Sequence, residues 1–138
     1  MVAFRCYDPS ADQTGGVHSW YNGLPPNFRA EIDALLELLA LENDLNGIAE
    51  VKPLHGACKG LTEIKIDFVM NKDGKKKQKH IHLRILGFDG PAKGEFTLLT
   101  GFEKVSHNAA YGHYCRSAHE RKSGVIRDGR KAKLCGFP

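Results

Sequence analysis

The segment GEFTLLTGFEKVSHNAAYGHY, residues 94–114, passes from an apolar stretch straight into Lys104, His107 and Tyr111. A second run, HIHLRILGF (80–88), carries His82 and Arg84 two residues apart, which in a strand puts both on one side. A third, EIKIDFV (63–69), carries Lys65 on its polar side. Such residues can cleave RNA without a metal. The 2′-hydroxyl attacks the adjacent phosphate, a base removes its proton, a cation steadies the growing charge, and an acid protonates the departing 5′-oxygen. Imidazole suits both proton transfers because it titrates near neutral pH. Arginine suits the phosphate because its planar fork donates two parallel hydrogen bonds, whereas lysine acts as a point charge. Each proton transfer is worth roughly 10²–10⁴ in rate, so several such groups must converge.

Arg84 leads the phosphate contacts, with Lys104 beside it. His107 and Tyr111 are one helical turn apart and share a face, so either could serve as base or acid. The expected catalytic set is therefore Arg84, Lys104, His107 and Tyr111, with no metal and no cofactor. Lys65 and His82 extend the cationic bed. His55 and Lys59, in the loop before residue 63, stand behind these. Lys75, Lys76 and Lys77, in the run KKKQK, would touch RNA backbone through counterion release. Arg84→Ala is expected to abolish cleavage and leave the fold intact.

The positioning elements follow from periodicity. VAFRCY (2–7) alternates like a short strand, and HSWYNGLPP holds one short helix ending at its Gly-Leu-Pro-Pro break. Phe28, Ile32, Leu35, Leu36 and Leu39 form one stripe of a helix over 27–43, with Pro25 and Pro26 at its start. Residues 63–69 and 80–88 alternate as strands joined across Asp73-Gly74, and EFTLLTGF returns after the turn DGPAKG. Residues 106–122 predict a closing helix, with Tyr114 and Ala118 toward the sheet. The fold expected is α+β: two N-terminal helices packed on a small antiparallel β-meander, with a C-terminal helix. Residues 1–138 form one domain, and 124–138 a basic tail with room for one more short strand.

Composition bounds the rest. The chain has 138 residues, is 41% hydrophobic and carries a formal net charge of +4. The charge is unevenly spread: residues 28–50 are acidic, and most lysines, arginines and histidines follow Lys52. That second half fits a polyanion. No stretch reaches transmembrane length and no targeting signal is visible. Cys6, Cys58, Cys115 and Cys135 are scattered without a close pair, so reduced thiols in a cytoplasm are expected.

Four phrases, in this order, carry a resemblance: W-Y-N-G-L-P, VKPLHGACKGLTEIKI, HLRILGF and FTLLTGFEKVSHNAA. Over residues 18 to about 120 the chain resembles the RelE/HigB-type toxins of the RelE/ParE superfamily, which belong to type II toxin–antitoxin systems and include phage-derived relatives. The resemblance implies a RelE-like fold similar to microbial ribonucleases. It implies an mRNA interferase, a ribosome-dependent endoribonuclease that inhibits translation in the cytoplasm. The partners would be mRNA on the ribosome and a cognate antitoxin encoded adjacently. It also implies that Arg84 holds the scissile phosphate and that Lys104 matches the family's Gly-Phe-x-Lys. The chain departs from the family at Lys65, where arginine is usual, and at Val105 and Ser106, where lysine and threonine are common. The alternatives are a non-nucleolytic ParE-like toxin acting on gyrase and an RNA-binding phage protein.

Overall fold

The computed structural model describes residues 1–9, 15–71, 78–105 and 109–137. The elements are β1 (Ala3–Tyr7), α1 (Val17–Asn22), α2 (Pro26–Ala40), β2 (Val51–Pro53), β3 (Thr62–Asn71), β4 (Gln78–Asp89), β5 (Glu95–Glu103), α3 (Ala109–Arg127) and β6 (Ala132–Leu134). Short 3₁₀ turns at Gly56–Cys58 and Gly129–Lys131 precede β3 and β6.

The class is α+β, but the expected arrangement needs correction. The meander β3-β4-β5 is the middle of a six-stranded mixed sheet of order β2-β3-β4-β5-β1-β6. β1 runs parallel to β5 and antiparallel to β6. The helices do not form one layer. Ile32, Leu36 and Leu39 of α2, with Val17 of α1, pack on Ile64, Ile66, Ile81, Leu83, Ile85 and Leu98. Cys115, Ala118 and Val125 of α3 cover Leu86, Phe88, Leu99 and Phe102 on the opposite face. The reason lies in β4, where Ile81, Leu83 and Ile85 are buried toward one side and Leu86 and Phe88 toward the other. A strand apolar on both sides must be covered on both.

One irregularity sets the orientation of the β5 end. The β4–β5 register slips between Leu86 and Gly87, so that Leu86 faces Thr100 while Gly87 faces Leu98. The extra β5 residue reverses the in–out alternation beyond it. Phe96 and Leu98 face α2, whereas Phe102 joins the α3 side. Gly101 consequently lies under α1, where a methyl group would overlap the Trp20 ring.

The expected helix over residues 106–122 extends to Arg127, so Gly124 to Arg127 belong to α3 and not to a loose tail. Beyond it β6 completes the sheet, Cys135 bonds to Cys6, and the Phe137 ring stacks on Tyr21 at 3.8 Å. His18 lies between the Asp8 carboxylate and the Cys135 carbonyl, closing the same corner. Cys58 pairs with Cys115. The expectation of reduced thiols is thus corrected. Partners 129 and 57 residues apart leave no spacing signal for sequence reading to find.

Candidate functional site

A cavity of about 330 Å³ opens on the α3 side of the sheet, where β2, β3, β4 and the end of β5 meet the start of α3. Its lining includes Lys65 of β3, Arg84 of β4, Lys104 after β5 and Tyr111 of α3. Four of the expected residues therefore share one hollow, and His55, named behind them from the sequence, is a fifth. Lys52 and Glu63 join them.

The strand register explains the convergence. Lys65 pairs directly with Arg84, Arg84 with Phe102, and Lys52 with Glu63. The backbone N–H of Lys104 donates to the His82 carbonyl at 2.7 Å, which carries β5 pairing one step past its last strand residue. Tyr111 is held edge-on against Phe102, with centroids 5.6 Å apart. The β5 bulge is what brings Phe102, and Lys104 after it, to this face.

Arg84 is not an open phosphate fork. It is 6% exposed, and Nη1 donates to Asp67 Oδ1 at 2.6 Å and to the Leu83 carbonyl at 2.9 Å. Its Nε lies 3.8 Å from Glu63 Oε1 and is buried without a hydrogen-bond partner among the described residues. Arg84 therefore acts on two carboxylates. The expectation that Arg84→Ala leaves the fold intact is corrected accordingly. Its removal would strand Glu63 in the interior, and urea unfolding of Arg84→Ala should show a loss of roughly 3–5 kcal/mol. Parental stability in that variant would refute the buried ion pair.

Glu63 is the residue that sequence reading passed over. It is 5% exposed, and burial pushes its carboxyl above the ordinary value. The charges of Arg84, Lys65, Lys104 and Lys52 pull the other way without cancelling that effect. A carboxyl so placed is poised to exchange a proton nearer neutrality than a surface glutamate. Asp67, half exposed and outside the cavity lining, behaves oppositely. Partial burial alone would raise it, but hydrogen bonds and charge from Arg84 and His82 hold it below the usual carboxylate range.

Not every expected residue joins this set. The His82 ring bonds to Asp67 at 3.0 Å, on the same face but outside the cavity lining. Lys59 is exposed at the end of the Gly56–Cys58 turn and does not line the cavity. His107, Lys75, Lys76 and Lys77 lie outside the described residues. A larger groove of about 450 Å³ runs between α2 and β3, bordered by Glu31, Leu35, Leu38 and Glu50. It contains no histidine, arginine or tyrosine among its described lining residues, so we place the candidate chemistry in the smaller cavity.

Comparison with protein-family models, with curated proteins and with solved structures finds no match.

Proposed function

We propose that the chain is the toxin of a type II toxin–antitoxin pair and acts as a ribosome-dependent mRNA endonuclease. The observation that carries this reading is one buried carboxyl, Glu63, set among Lys52, Lys65, Lys104 and Arg84 in a single cavity. That arrangement offers a base next to a cationic phosphate seat. The motif order quoted above supplies the family context.

In this mechanism Glu63 removes the proton of the 2′-hydroxyl. Lys65, Lys104 and Lys52 hold the phosphate oxygens as negative charge grows on them. Arg84 fixes Glu63 and Asp67 from below, so its role is positioning. Tyr111, braced by Phe102, bounds the cavity on the α3 side. The products are a 2′,3′-cyclic phosphate and a 5′-hydroxyl. A cognate antitoxin would silence the protein by laying an acidic segment over the lysines.

No helix among the described residues is long and apolar enough to cross a membrane. The toxin reading locates the chain in the cytoplasm beside its ribosomes. The two disulfides weigh against that location, since a reducing compartment opens most such bonds. Alkylation of thiols at lysis measures their state directly.

The deciding experiment is translation in vitro with added protein, followed by primer extension on the message. Cuts inside codons that require ribosomes are expected. Intact message together with blocked DNA supercoiling would select the ParE-like alternative. Intact message that is merely bound would select an RNA-binding protein.

A further inference from the structure

β3 is ten residues long, yet β2 covers only its beginning. Val51–Pro53 pair with Thr62–Ile64, and the Glu50 carbonyl takes the Lys65 N–H at 2.8 Å before the chain leaves the edge. On its other side β3 is paired with β4 in unbroken register from Thr62 to Asn71. Lys65 therefore presents its N–H outward, and by strand alternation so do Asp67 and Val69. Neither has a strand partner on that side among the described residues.

We propose that this outer edge of β3, together with the groove beside α2, docks an extended segment of a partner protein. The segment would add a strand to the sheet, with apolar side chains at its centre and lysine or arginine at both ends of its α2-facing side. This inference does not rest on the endonuclease reading above.

The chemistry of the groove sets that pattern. Its volume is about 450 Å³, and Ala34, Leu35 and Leu38 of α2 with Ile66 of β3 form its apolar middle. Leu38 is 65% exposed, unusual for a leucine beside an open strand edge. A carboxylate stands at each end. Phe28 packs edge-on against Phe68 at 5.2 Å and the Asn27 amide reaches the Met70 sulfur, so α2 begins beside the far end of β3. Glu31 follows one turn later. Glu50 marks the other end, where its carbonyl meets Lys65.

Charge chooses among occupants. Three carboxylates, Glu31, Glu50 and Asp67, line the groove against Lys65. Asp67 is engaged by Arg84 and His82, whereas Glu31 and Glu50 form no ion pair among the described residues. A second copy on the same edge would bring matching carboxylates together across the two-fold axis. RNA would meet the same repulsion. A cationic strand satisfies both the backbone and the charge, with main-chain hydrogen bonds giving affinity and the groove giving selectivity.

The probe is a capped peptide, Lys-Thr-Val-Thr-Val-Thr-Lys, titrated into the full chain and followed by heteronuclear NMR. Saturable binding is expected, with amide shifts concentrated at residues 31–38 and 65–71. Val69→Pro removes one outward N–H and no β4 bond, so it should weaken binding about tenfold and leave the sheet intact. The exposed pair Glu31→Lys with Glu50→Lys tests the surface without altering the backbone. It should weaken this peptide several-fold at low salt and favour the version ending in glutamate. No saturable binding, or equal binding of the glutamate-ended peptide to the parent, would overturn the proposal. Self-association of the parent that Val69→Pro abolishes would overturn it in favour of a second copy.

Discussion

Glu63→Gln is expected to lower message cleavage by about 10²–10⁴-fold while raising the melting temperature at neutral pH. Loss of cleavage follows because an amide cannot accept the 2′-hydroxyl proton. The gain in stability follows from linkage. Burial raises the Glu63 carboxyl above its unfolded value, so the folded state binds its proton more tightly. Stability contributed by this group is fully present below the unfolded pKa and is lost as pH rises through the folded one. At neutral pH the ionised carboxylate therefore costs stability, and glutamine removes that cost while keeping the shape. Arg84 retains Asp67 as its partner in the variant. Thermal melts of parent and variant across acidic to neutral pH should converge at the acid end and separate toward pH 7. A variant that melts below the parent at pH 7 would contradict the buried-acid picture. A variant that still cleaves would remove Glu63 as the base.

The second large effect concerns the cysteines. Replacing Cys6 and Cys135 together by serine should cost about 2–5 kcal/mol, because the bond closes a loop spanning almost the whole chain. Replacing Cys58 and Cys115 should cost a comparable amount for a loop of 57 residues. Urea unfolding with and without a thiol reductant measures both. The reductant should bring the parent down to the stability of the quadruple serine variant and leave that variant unmoved. A parent indifferent to reductant would mean that the bonds are not closed in the isolated protein.

These effects fall where sequence and structure diverged. Period-two alternation already set Glu63, Lys65 and Asp67 on one side of β3, and His82 and Arg84 on one side of β4. What alternation does not reveal is how deep a polar side lies. Glu63 looks like any solvated strand glutamate until Arg84, Lys52 and Tyr111 close around it in one cavity. Its spacing from Lys65, together with Lys52 ahead of a proline, is the only trace in the sequence. The helix stripe from Phe28 to Leu39 was plain because α2 is amphipathic. The place of β1 was hidden for the opposite reason. Its parallel partner β5 lies across two helices and three strands, and a crossover that long carries no local signature. The second helical layer was legible in principle, since Ile81, Leu83, Ile85, Leu86 and Phe88 fill both sides of β4. The bulge that turns Phe102 and Lys104 toward the cavity was not, because a one-residue slip depends on the neighbouring strand.

The pairing of β1 with β6 has a practical corollary. It places β6 at the margin of the sheet, with the Phe4 carbonyl accepting from the Cys135 N–H at 3.1 Å. Ala3 pairs with Glu95 at the start of β5, whereas the cavity borders the other end of that strand at Lys104, about 26 Å away along it. A fluorophore joined beside residue 3 would therefore stand clear of the cavity while reporting on the opposite end of the same strand pair.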